Sequence, residues 1–141
     1  FRNPLMTKVI HSAIDSFNPQ ILHAHHISRI SYDVFAKVSP QIPRVLTFHT
    51  YHFECPKGGL FRKRKRSICE KKPLPCKYFE KIMQQALGPV DRIIAISHFI
   101  ERRLLLAGYD PGKIHYIPNG VPEIECRSFS PPSTTGLPIT H

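Results

Sequence analysis

The sequence of 141 residues has no apolar run approaching the roughly 18 to 20 residues that a membrane span requires. Its first residues, FRNPLMTK, lack the basic, apolar and small-residue regions of a signal peptide, so a cytosolic chain is expected. Cysteine is scarce: there are four, too few for a disulfide scaffold and with no C-x-x-C pair. Reduced thiols or a bound metal are expected rather than bridges. Internal repeats and extended low-complexity segments are absent. Acidic residues are outnumbered, 10 Asp and Glu against 20 Lys and Arg, and the formal net charge of +10 calls for an anionic partner: nucleic acid, anionic lipid or a phosphorylated substrate. The length suits one domain with a real core and is too short for most two-domain enzymes. Residue 1 is Phe rather than Met and the tail RSFSPPSTTGLPITH is a polar, Pro-rich linker, so a piece of a longer protein is expected.

Four short apolar runs punctuate the chain: residues 21–25 (ILHAH), 45–48 (VLTF), 93–96 (IIAI) and 114–117 (IHYI). They read as strands, and their continuous rather than alternating apolarity suggests burial on both faces, the habit of parallel sheets. Helical segments are expected at Pro4 to Phe17, with Leu5, Val9, Ala13 and Phe17 at four-residue spacing, and at Ser28 to Val38, Tyr78 to Leu87 and His98 to Ala107. Pro19, Pro40, Gly88-Pro89 and Gly108 supply stops. Ser97 can cap the last helix. Alternating helices and strands predict an α/β fold with a parallel sheet.

In open sheets of this kind the ligand crevice lies beyond the carboxyl ends of the strands. The polar residues of this chain gather there: His25 and His26 after the first strand, His49 after the second, Ser97 and His98 after the third, Asn119 and Gly120 after the fourth. His49 is the sharpest of these, because a titratable ring at a strand end suits sugar hydroxyls or phosphate. Gly120 would give the turn freedom to take a positive φ. Residues 50–77 form the one long loop, and loops of that length are usually functional or disordered.

Three further clusters carry competing readings. His23 and His25 alternate on one strand and could share a metal ion as in a hydrolase, but no aspartate follows any later strand run to complete the ligand set. Cys55, Cys69 and Cys76, with His52 in reach, have the donor chemistry of a structural zinc site; free thiols in a loop are the alternative. The run Arg62, Lys63, Arg64, Lys65, Arg66 is either a solvated basic loop or an attachment to anionic lipid, with Leu60 and Phe61 dipping into the interface. Membrane ranks above nucleic acid, because no nucleic-acid module accompanies the charge.

Taken in order, NPQILHAHH, then RVLTFHTYHFECPKGGL with Cys69 and Cys76, then VDRIIAISHFIERRLLLAGYDPGKIHYIPNGV, resemble the N-terminal domain of the glycosyltransferase group 1 enzymes (family 4). The likeness runs from about Phe1 to Val121. It implies the N-terminal half-domain of a GT-B fold, an α/β Rossmann-like parallel sheet with flanking helices. Residues 1–122 would be the acceptor-side domain, incomplete at its start, and residues 123–141 an interdomain linker, with the C-terminal donor domain absent.

By that resemblance the whole enzyme is a retaining transferase that moves a sugar from a nucleotide-sugar donor to a lipid-linked or polysaccharide acceptor, with no divalent metal required. The family's strand-end histidine falls on His49, its serine after the IAI strand on Ser97, and its NG turn on Asn119-Gly120. Thr50 stands where family members often have Asp, and the upstream glycine-rich loop is missing. A lone half-domain would be inactive, or a binding module that kept the fold. A cytoplasmic location, peripheral on the membrane, is expected.

Overall fold

The computed structural model describes residues 2–27, 30–62, 66–69 and 71–120. The expected linker 123–141, Cys126, and Lys63, Arg64 and Lys65 of the basic run lie outside them.

Helix α1, Pro4–Phe17, has the bounds its sequence predicts. Asn3 starts it, its side chain accepting the Met6 amide at 3.1 Å, and Pro4 sits in the first turn, where a missing N–H costs nothing. Asn18 ends it in the left-handed conformation at φ 48°. The apolar row Leu5, Val9 and Phe17 faces solvent. The helix docks through Ile14, which is buried, and Ile10, which packs on the core, and polar contacts add to them: Thr7 Oγ1 donates to Asp33 at 2.9 Å, and the His11 ring meets the Val34 carbonyl at 2.8 Å.

Four parallel strands form the sheet, β1 (Leu22–Ala24), β2 (Arg44–Phe48), β5 (Arg92–Ala95) and β6 (Ile114–Tyr116), in the order β1-β2-β5-β6. Ala24 pairs Leu46, Leu46 pairs Ile93, and Ile93 pairs Ile114, so one row of side chains crosses the whole sheet. All four expected strands are present. Asp91 ties the two central ones together at their start, accepting from the Arg44 amide at 2.8 Å and from Arg44 Nε at 3.1 Å.

Leu46, Phe48, Ile93 and Ala95 share one face and pack on Met83 and Leu87 of α2 (Leu74–Leu87) and on Ile100 and Leu104 of α3 (His98–Leu106). Val45 and Ile94, pointing to the other face, are half-buried. Burial on both faces therefore holds only in part. Ser97 caps α3 as expected, accepting the Ile100 amide at 3.2 Å.

Two expectations fail. The helix expected over 28–38 is absent from its described part, which makes successive three-residue turns, with Ala36 N to Asp33 O at 3.0 Å and Val38 N to Phe35 O at 3.3 Å. Tyr32, Val34, Phe35 and Val38 are all buried, and Tyr32 and Val34, two residues apart, would leave a helix on nearly opposite sides. Ser31 and Asp33 also hydrogen-bond each other, competing with the helical pattern. The second miss is α2, which starts at Leu74 rather than Tyr78. Pro73 and Pro75 mark a helix start, since prolines are tolerated in a first turn.

The loop after β2 is more built than its sequence suggests. It contains a short antiparallel hairpin, β3 (Phe61–Arg62) with β4 (Ser67–Ile68). Phe53 anchors its start, fully buried against Phe48 at 4.9 Å and Tyr109 at 6.0 Å between ring centroids.

Candidate functional site

At the carboxyl edge of the sheet, β1, β2 and the residues just after them deliver five imidazoles, three in a column and two in a pair. His23 and His25 lie on the same side of β1 with ring centroids 4.2 Å apart. The His25 ring stacks on His49 at 5.5 Å, and His25 Nδ1 lies 3.2 Å from His49 Nε2. His23 in turn bonds Thr47 Oγ1 through Nε2 at 2.8 Å. Thr47, His23, His25 and His49 thus form one connected column. Partial burial and then the neighbouring His25 charge push the His23 pKa below its ordinary value.

The pair is His26 with His52, edge to face at 5.3 Å. His26 has a φ of 111°, a conformation in which a side chain is strained and which clusters at functional sites. Beneath His52 lies Gly58 at φ 70°; a Cβ there would stand 2.5 Å from His52 Nε2. Only glycine fits that approach.

The other strand ends contribute differently from expectation. Ser97 Oγ accepts the Ile100 amide and keeps its O–H to donate, and no hydrogen bond joins Ser97, Asn119 or Gly120 to the histidine column among the described residues. Gly120 does not take the positive φ expected of it; Gly58 and Gly108 do. His98 stacks on Tyr116 at 3.9 Å and bonds Glu101 at 3.0 Å. Phe99 at the start of α3 meets Tyr51 of the loop at 5.6 Å, closing that side of the edge.

The loop after β2 also forms a pocket of about 780 Å³, lined by Pro56, Leu60, Phe61 and Pro73 together with Lys57 and Arg62. Cys55, Cys69 and Cys76 all border it as free thiols. Arg62 donates to Cys69 Sγ at 3.3 Å and to the Lys71 carbonyl at 2.5 Å. Of the basic run, Arg62 is thereby engaged within the loop, while Arg66 is exposed. Among the described residues no three His, Cys, Asp or Glu gather so as to hold a metal ion. Neither the zinc site expected at the cysteines nor the hydrolase centre on His23 and His25 is assembled there.

Sequence reasoning missed Glu54, which is 1% exposed and holds the loop to α3 through Arg103 and to the residues before α2 through Lys72. Its only signal was a lone carboxylate next to Cys55. Tyr51 and the ring-bearing approach at Gly58 were missed too, although the Gly58-Gly59 pair marked a tight turn.

A family model described as Glycosyltransferase Family 4 matches residues 1–123. No curated protein and no solved structure matches the chain.

Proposed function

We propose, from the premise that the chain belongs to Glycosyltransferase Family 4, that it forms the acceptor side of a retaining glycosyltransferase using a nucleotide-sugar donor. The observation that carries this reading is the column ending in His49 at the carboxyl edge of a parallel sheet, the place where such sheets bind ligands. The pocket in the loop that follows His49, lined mainly by apolar side chains together with Lys57 and Arg62, suits an acceptor with an apolar body and an anionic group, as a lipid-linked precursor has.

In this reading the nucleotide leaves from the anomeric carbon and the acceptor hydroxyl attacks from the same face. His49 hydrogen-bonds the sugar while positive charge develops at that carbon, and preorganised groups of this kind act most strongly where charge appears. Donor contacts and stabilisation of the leaving nucleotide belong to a second domain, with Asn119-Gly120 leading toward it. No divalent metal is assigned a role. The chain works at the cytoplasmic face of a membrane, with the hairpin and the start of α2 turned to the lipid: Phe61, Ile68, Leu74 and Tyr78 are exposed there among Arg66, Lys71 and Lys77.

The test is His49→Ala in the enzyme that carries the donor domain. A fall in kcat of at least roughly tenfold, with thermal stability kept because His49 is exposed, is the expected result. An unchanged rate removes His49 from the site, and turnover of a sugar nucleotide by residues 1–141 alone overturns the division of labour.

A further inference from the structure

His49 offers two ring nitrogens, and a substrate can use only what the protein leaves free. One is already engaged, because Nε2 lies 3.2 Å from Nδ1 of His25. Two imidazole nitrogens at that distance share one hydrogen: with two they repel, and with none their lone pairs repel. Which ring carries it follows from the chemistry of imidazole, whose neutral side-chain form prefers the hydrogen on Nε2. Placed on Nε2 in both rings, it gives His49 Nε2–H donating to the bare Nδ1 of His25. The reverse assignment puts both rings in the less favoured form at once.

The rest of the column supports His25 in that role. Its ring lies against His23 at 4.2 Å, and His23 is fixed by its bond to Thr47 Oγ1 at 2.8 Å. Thr47 is itself 3% exposed in the centre of the sheet, paired with Ile94. The orientation of the exposed His25 ring, just after β1, is thereby tied to the sheet interior, and His49 inherits it. Register alone does not bring the two rings together. Ala24 pairs with Leu46, so His25 stands beside Thr47 in the strand order and reaches forward to His49.

We infer that His25 is a positioning residue that holds His49 in its Nε2–H form, so that His49 meets the substrate through a bare Nδ1 and takes a hydrogen bond from a substrate hydroxyl. This rests on the proposed placement of His49 in the transferase site and adds the chemical class of what it grips: a hydroxyl donor, such as a sugar ring provides, rather than a phosphate oxygen. An anion would find no donor at that atom in the neutral ring.

The experiment is nitrogen-15 NMR of the chain with labelled histidine, at a pH of about 8, above the ordinary imidazole range. Unprotonated and protonated ring nitrogens resonate far apart. The expected spectrum of the unmodified chain shows His49 with a protonated Nε2 and an unprotonated Nδ1. In His25→Phe, which keeps a stackable ring but has no Nδ1, the two His49 signals should move toward each other as the forms mix. In His25→Asn, whose side-chain oxygen can take the place of Nδ1, the separation should return. A protonated Nδ1 on His49 in the unmodified chain, or signals unmoved in His25→Phe, overturns the inference. The first of these readings needs no variant. The outcome is also independent of the transferase assay: tautomer control without a rate effect in His49→Ala sinks the functional reading, and a rate effect without tautomer control sinks this one.

Discussion

Arg103 meets Glu54 edge to edge, Nε to Oε1 at 2.7 Å and Nη2 to Oε2 at 2.5 Å, with Lys72 Nζ 2.6 Å from the same Oε2. The carboxylate is completely enclosed, and Lys72 continues to Glu80 at 2.5 Å. One buried anion therefore fastens the start of the long loop to α3 and to the residues just before α2. The partnership with Glu54 in turn raises the Arg103 pKa above its usual value.

Arg103→Met should destabilise the fold by about 3 kcal/mol or more, because it strands a buried charge with one partner fewer. Arg103→Lys should fail to restore stability, since an ammonium cannot make the two-edged contact. Urea midpoints of the three proteins decide the matter. A loss under about 1 kcal/mol would mean that Lys72 alone satisfies Glu54.

Gly58→Ala tests the approach of His52. The new Cβ would meet the ring 2.5 Å away, on a backbone at φ 70°. A destabilisation of about 1 to 3 kcal/mol is expected. Gly59→Ala, with nothing within 4 Å of its Cβ, should cost far less.

Stability should depend on pH through His23. Its folded-state pKa lies below the ordinary 6.5, so the unfolded chain binds the proton more readily. The His23 contribution is intact above pH 6.5 and is lost as the pH falls from there toward the depressed folded value. Asp91 and Asp33, also depressed in the folded state, keep their contributions until the pH falls below about 3.8. His23→Gln, which can keep a bond to Thr47, should flatten the urea-midpoint profile between about pH 8 and pH 5.5 while leaving the acid limb in place.

Binding to vesicles should require both anionic lipid and the exposed side chains of the hairpin. The chain should sediment with phosphatidylserine-containing vesicles, weaken as salt rises, and ignore purely zwitterionic ones. Replacing Phe61 and Ile68 by serine should lower that binding severalfold at unchanged charge. Equal binding to the serine variant would leave a purely electrostatic contact.

Much of the framework was legible because it is locally encoded. Asn3 and Pro4 start α1, Ser97 starts α3, and apolar runs bounded by turn residues give the strands. Residues 30–38 were misread because their apolar spacing resembles a helix while their burial demands turns. The hairpin was invisible because each of its strands is two residues long. At the site, chain topology brought His25 to His49 as the strand-end argument expected. That Ser97 caps its own helix was legible, and the cap leaves its O–H able to donate to a ligand. Glu54 depends on partners far along the chain, so its importance exists only once the chain is folded.

The four strands lie in the sheet in the same order as in the chain. Each is laid down beside the one made just before it, so none must wait for a later strand to fill a gap at its side. Assembly can then keep pace with synthesis, β1 offering its edge to β2 and β2 to β5. The cost of closing each crossover falls on one intervening segment at a time. The slowest of these steps should be β2 to β5, whose connection carries the hairpin, the buried Glu54 and all of α2. Amides of β2 and β5, each paired on both sides, should be the last to exchange with deuterated solvent.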